Sequence, residues 1–206
     1  MRSWSRVVQW RPTDEADDCF GWIADERFAR TSHALRAGGR VYLIDALLGD
    51  GVEERIRTLG EPAAVLQLLD RHGRDCAAWA ERLGVPHVRA WQGLRGAPFE
   101  ALPVYDNRVW REVALWEPVS ATLVCADALG TSPYFCAPGE RLGWHPLVRV
   151  RSPRSFRRVA PQRILAGHGP GLEQGAADAL DALFAHRRLA AAWGSALRTS
   201  VRAASR

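Results

Sequence analysis

Residues 63–84 read AAVLQLLDRHGRDCAAWAERLG. The run 63–69 is short, apolar and bounded by breakers, the pattern of a strand buried on both faces. Asp70-Arg71-His72-Gly73-Arg74 interrupts it with a polar loop. Asp75 then stands at an N-cap position, residues 76–83 read as a helix, and Gly84 with Pro86 stops it. Strand, polar loop and helix start make the corner where α/β proteins place chemistry. Ligands bind outside the carboxyl ends of strands, and a helix N-terminus offers free N–H groups.

Working outward, Val41-Tyr42-Leu43-Ile44 is a β-rich run that follows a Gly38-Gly39 hairpin signal and ends in Asp45. Residues 4–10 and 19–23 read as earlier strands, with 12–18 as a polar turn between them. Val52, Ile56 and Leu59 share one helical face. Beyond the central corner, 86–90 is a short strand and 91–98 a loop. Residues 99–104, 110–116 and 121–126 read as successive strands, with Asp106-Asn107 as the clearest turn. The Pro- and Gly-rich stretch 131–144 reads as an excursion over the surface, and Ser152-Pro153 as the start of a short helix. Residues 163–166 are a last strand, 167–171 a sharp loop, and 172–189 a helix with Ala176, Leu180, Leu183 and Phe184 on one face. Successive strand–helix–strand passes argue α/β layering. One domain over 1–190 is expected, followed by an Arg/Ala-rich tail, 191–206, that docks as a terminal helix or stays unstructured.

The chain has 206 residues, 47% hydrophobic and 25% charged, ordinary for a water-soluble domain with a sizeable core. No apolar run is long enough to span a membrane and no signal-peptide stretch opens the chain, so a cytoplasmic location is expected. The formal charge is +5, and every one of the 28 basic residues is Arg. Arg149, Arg151, Arg154, Arg157 and Arg158 form the densest cluster, read as a solvated face; nucleic-acid binding is not expected. The four cysteines contain no CxxC pair, so no disulfide framework is expected, and Cys125 reads as a small buried hydrophobe. His33 and His145 read as structural histidines, His87 and His186 as surface ones.

Four separated pieces fall in order: 41–45 (VYLID), 69–76 (LDRHGRDC), 122–127 (TLVCAD) and 164–170 (ILAGHGP). This order, with a helix after the second and the last piece, resembles the metallo-β-lactamase-fold superfamily over roughly residues 30–190. The resemblance implies a four-layer αββα sandwich of the α/β (α+β) class. It also implies a cleft at one edge that holds one or two ions, usually zinc, sometimes iron or manganese. The family motif is His-x-His-x-Asp-His. With its Asp on Asp75, Arg71 and Gly73 take the places of the first two histidines and Cys76 that of the last. Asp127 matches the bridging aspartate and His168 the final histidine. The family's remaining histidine has no counterpart in 115–121.

Two readings follow. In the first, a single zinc, iron or manganese ion is held by Asp75, Cys76, Asp127 and His168, with Arg71 as a fixed cation for a substrate anion and His72 as a proton carrier. The protein is then a hydrolase-like enzyme with a reduced, at most mononuclear site and an unidentified small-molecule substrate. In the second, no metal binds. Arg71 neutralises Asp75 or Asp127, and the cleft of a catalytically silent protein takes a small anionic ligand or a protein partner. The joint absence of three histidines and the presence of a cation favour the second.

Overall fold

Both faces of the central strands are buried, and this decides the layering. In the computed structural model, which describes residues 8–185 and 193–194, the first half of the chain folds as β1 (Trp10–Ala16), β2 (Cys19–Ala24), β3 (Thr31–Ala37), β4 (Arg40–Ile44), α1 (Val52–Leu59), β5 (Pro62–Gln67), α2 (Cys76–Leu83) and β6 (His87–Arg89). The second half supplies β7 (Glu100–Asp106), β8 (Arg111–Glu117), β9 (Thr122–Cys125), β10 (Leu129–Gly130), β11 (Gly143–Trp144), α3 (Pro146–Val150), β12 (Arg163–Ala166) and α4 (Ala176–Ala185). Along β4, Tyr42 and Ile44 enter the core between the sheets, while Val41 and Leu43 enter a second core under α1 and α2. That alternation is the period of two that a strand imposes on its side chains.

The first sheet runs β1-β2-β3-β4-β5-β6, antiparallel up to β4 and parallel from β4 to β6. Val52 and Ile56 of α1, with Trp79 and Ala80 of α2, cover its outer face. The second sheet runs β12-β9-β8-β7, with β12 parallel to β9. Leu180 and Leu183 of α4 join its core, and α4 packs on β12. The result is a four-layer αββα sandwich. The parallel strands β4, β5, β9 and β12 end at the same rim, and their carboxyl ends carry Asp45, the 70–75 loop, Asp127 and His168. No helix among the described residues is long and apolar enough to cross a membrane.

Four expectations are corrected. Residues 12–16 are not a turn but most of β1; β1 is the edge of its sheet, where a proline such as Pro12 leaves no ladder partner unsatisfied. The stretch 131–144 does not run over the surface. Phe135, Ala137, Leu142 and Trp144 are buried, and β10 pairs with β11 to close the segment on itself. Gly143 permits this: a Cβ there would lie 2.2 Å from the Phe135 carbonyl oxygen. Ser152-Pro153 precedes a 3-10 turn, Arg154–Arg158, rather than an α-helix. The last helix begins at Ala176, because Gly175 takes a left-handed conformation before it. The expectations for 1–7, for His186 and for the tail fall on residues that, apart from Trp193 and Gly194, lie outside those described.

Arg149 is not part of a solvated face. It is 1% exposed, donates to the Phe135 carbonyl and pairs with Glu140. Replacing it strands a buried carboxylate. Arg149→Ala is expected to lower unfolding stability by about 3–5 kcal/mol in urea titrations, while Arg154→Ala at an exposed position stays within about 0.5 kcal/mol.

The two sheets are also pinned by Asp18, in the β1–β2 turn, which takes a bidentate bond from Arg163 at the start of β12 at 2.9 and 2.7 Å. That bond outweighs partial burial and holds the Asp18 carboxyl below its ordinary range. A carboxyl depressed in the folded state stabilises it above the unfolded pKa, and the gain is lost as pH falls through the folded value. The stability difference between wild type and Asp18→Asn is therefore expected to be at most about 1 kcal/mol at pH 7, and to shrink towards zero as pH drops below the ordinary carboxylate range.

Candidate metal centre

The loop after β5 is short of backbone partners and borrows them from its neighbours. Asp70 N donates to Arg111 O, and His72 N to Leu69 O. This turn carries the His72 side chain towards the end of β9. Its Nδ1 lies 3.4 Å from Asp127 Oδ1, is buried, and has no hydrogen-bond partner. From the other side, His168 in the Gly167-His168-Gly169 turn brings Nε2 to 3.0 Å from the same oxygen. One ligand atom from each of His72, Asp127 and His168 lies within 4.8 Å of the others, the one such group of three found among the described residues.

The hydrogen atoms of this cluster follow from its partners. His168 Nδ1 faces the Phe28 carbonyl oxygen at 2.8 Å, so Nδ1 must carry the proton. In a neutral ring Nε2 is then a bare lone pair, aimed at a carboxylate oxygen. Nitrogen and oxygen lone pairs at hydrogen-bond distance repel unless a cation stands between them, either a proton or a metal ion. Burial works against ionising Asp127, but with a proton on Nε2 the His168 hydrogen bond outweighs it and holds the carboxyl at about 2. Burial pushes His72 down to about 4, so its ring is a neutral donor near pH 7. Two imidazoles and one carboxylate, one imidazole oriented by a backbone carbonyl, are a donor set suited to zinc and similar divalent ions.

The structure brings together Asp127 and His168 of the expected ligand set, with His72, and leaves Asp75 and Cys76 outside the group. Asp75 Oδ2 accepts from Leu48 N at 2.8 Å, which ties the start of α2 to the loop after β4. Its side chain makes no capping bond to its own helix. The Cys76 thiol is fully buried among Ala46, Trp79 and their neighbours, and burial, with Asp45 nearby, pushes it up to about 12. Arg71 reaches neither carboxylate: its guanidinium lies 4.3 Å above the Trp110 ring, and its Nη1 donates to Val109 O.

A different arginine occupies the inner side of the cleft. Arg74, held at φ 42°, donates to the carbonyls of Thr31, Asp45 and Gly167. Nothing in its sequence context separates it from Arg71. Glu112 was also illegible in the sequence. It is fully buried behind Asp127, accepts from Trp110 Nε1 at 2.7 Å and from Ala128 N at 2.8 Å, and is pushed up to about 8 by burial and by Asp127. It fixes the residue that follows Asp127. Residues 115–121, searched for a further histidine, belong to β8 and the turn to β9; the segment beside the cleft is instead that ending in Trp110.

Aromatic rings wall the cluster. Phe135 stacks on His168 at 5.2 Å between centroids, and Trp110 meets His145 edge-on at 5.0 Å. His145 Nδ1 accepts from Leu147 N at 3.2 Å, so its Nε2 bears the proton and points to the Tyr134 hydroxyl at 3.5 Å. His33 pairs with Asp14 and His87 with Gln67, both as structural contacts.

No family model and no curated protein matches the sequence. Solved structures do match its fold. The DIM-1 metallo-β-lactamase, in a crystal exposed to ceftazidime, is 12% identical, covers 96% of this chain and 99% of its own, and gives a TM-score of 0.57. VMB-1 at pH 5.5 is 10% identical over 93% of this chain and 100% of its own, with a TM-score of 0.55. A metallo-β-lactamase from Pontibacter korlensis is 13% identical over 86% of this chain and 100% of its own, again at 0.55. With its two mixed sheets, outer helices and a His/Asp/His cluster at the shared rim, the chain has the fold of the metallo-β-lactamase superfamily.

Proposed function

We propose that the protein is a metal-dependent hydrolase with a single divalent ion, zinc by preference, held by His72 Nδ1, Asp127 Oδ1 and His168 Nε2. The observation that carries this reading is the locked tautomer of His168, which aims a lone pair at Asp127 while His72 presents a second, unpartnered nitrogen to the same oxygen. This arrangement calls for a cation. Three protein donors leave the open position that catalytic rather than structural sites keep.

The family motif supports the same set when moved one residue towards the N-terminus. His72 then takes the second histidine, Asp70 the first and Asp75 the last, while Arg74 replaces the aspartate. Asp70 has a buried oxygen without a hydrogen-bond partner. Arg74 puts a permanent cation where a second ion would need a carboxylate, which limits the site to one ion. When bound, the ion supplies a water of lowered pKa and polarises a carbonyl or phosphoryl oxygen. The chain's own residues shape that chemistry. Phe135 shields one face of His168 from water, and His145 Nε2–H with Tyr134 offers a hydrogen bond to a developing oxyanion.

The metal-free, ligand-binding alternative draws support from Arg74 alone, since its guanidinium fills part of the cleft. Zinc content separates the two. Chain reconstituted with zinc and desalted is expected to hold about one ion by elemental analysis. His72→Ala, Asp127→Ala and His168→Ala are expected to lose stoichiometric zinc, while Cys76→Ala keeps it. Zinc-dependent hydrolysis of p-nitrophenyl acetate or bis(p-nitrophenyl) phosphate should follow the zinc content. A wild-type chain that retains no ion, or loss of zinc in Cys76→Ala alone, would sink the proposal.

A further inference from the structure

The geometry points to an anion-reading rim made by Arg71 and Arg27 over the His72–Asp127–His168 cluster, whose ligand is an organic oxyanion, carboxylate or phosphate, carried on a flat apolar body. The inference rests on reading that cluster as the active centre.

Both arginines are exposed, yet neither is loose. Arg71 lies on Trp110, whose indole is fixed by Glu112 below and by the edge of His145 beside it. Arg27 lies 4.5 Å above the Phe28 ring. Phe28 is itself part of the centre, because its carbonyl takes the His168 Nδ1 proton, and its ring meets Tyr134 edge-on at 5.7 Å. The two cations thus stand on aromatic supports attached to opposite members of the cluster, Arg71 beside His72 and Arg27 beside the carbonyl that orients His168.

Neither makes an ion pair among the described residues. Of the neighbouring charges, Glu26 takes Arg30, and Arg74 is spent on three carbonyls and on the field of Asp45, while Asp25 is exposed beside Arg27. Asp127 is matched by the cation proposed for its cluster, and of the two carboxylates in the 70–75 loop Asp75 is bound to Leu48 N. A neutral substrate would leave two guanidinium groups facing a cationic centre with nothing to neutralise them. An oxyanion meets both, and the planar guanidinium fork suits carboxylate and phosphate oxygens in particular. Stacking holds the forks in place and reduces the entropy lost on binding. The exposed Phe28 ring and the half-buried Tyr134 ring meet beside the cluster, which fits a flat apolar group attached to the anion.

The test is calorimetric binding of phenylphosphonate, benzoate and neutral benzamide to the full chain, zinc-loaded and chelator-treated. Both anions are expected to bind, and benzamide at least about tenfold more weakly, the scale of one charge-assisted hydrogen bond. Arg71→Gln and Arg27→Gln should each raise the phenylphosphonate Kd about tenfold. Arg71→Lys should recover only part, since it keeps the charge and loses the fork. Near-ultraviolet circular dichroism and Tm check that the variants are folded. The tighter of the two anions identifies the preferred head group, and either order supports the rim. Benzamide binding within about twofold of phenylphosphonate overturns it, as do unchanged anion affinity in the Arg71→Gln/Arg27→Gln double variant and absence of anion binding in both metal states. Arginine-dependent anion binding in a chain that takes up no zinc would remove the hydrolase reading and leave the rim. Zinc uptake with arginine-independent binding would do the reverse.

Discussion

One guanidinium holds the rim of the sandwich together. Arg74 donates to Thr31 at the start of β3, to Asp45 at the end of β4 and to Gly167 after β12. Those three carbonyls come from both sheets; Gly167 O also accepts from Thr31 N and Asp45 O from the Ser32 hydroxyl, and the guanidinium ties all three to one donor. Each unpaired buried carbonyl is costly, and a permanently charged, planar donor can serve several at once. The left-handed backbone at Arg74 is the strain accepted for that placement. Gly167 precedes His168 and Asp45 faces Cys76, so the clamp also sets where the site residues stand.

The same clamp shapes the chemistry. The Arg74 guanidinium and the two imidazoles divide the cleft into a half built around a fixed cation and a half built around a carboxylate between histidines. Asp45 belongs to the first half: it accepts from Leu68 N at 2.9 Å and lies beside Arg74. Asp127 belongs to the second, with two histidine nitrogens converging on one oxygen. Glu112 lies behind Asp127, where burial raises its pKa, so that the Asp127 charge stays the dominant negative one. Around this, Phe135, His145, Tyr134 and Trp110 form a wall that lowers the local dielectric and strengthens every charge within it.

Much of the architecture was legible before any coordinate. The apolar runs at 41–44 and 63–69, the Gly38-Gly39 turn, the helix over 76–83 and the ordered set of four pieces lead to the αββα sandwich. They could do so because strands buried on both faces and left-handed glycine turns leave local marks. The site was legible only in part. Asp127 and His168 sit at the ends of β9 and β12, where position alone marks them. From the sequence His72 reads as a proton carrier; only the fold sets its ring against Asp127 beside His168. Asp75 and Cys76 were chosen by motif register, and a register one residue off turns a side chain from the cleft to the core. Residues 131–144 differ from their sequence reading for a related reason: Pro and Gly suggest a loop, but only packing shows whether the loop is folded inward on Phe135.

The sequence by itself determined the layering and the places where chemistry can sit, because both follow from local periodicity and from turn residues that act over a few positions. Which of two arginines three residues apart enters the cleft was decided only by the tertiary structure. So was the His168 tautomer, through the Phe28 carbonyl 140 positions away. The physical reason is the same in both cases. Charge and proton position depend on partners brought together across the two sheets, and no local pattern encodes a partner that distant.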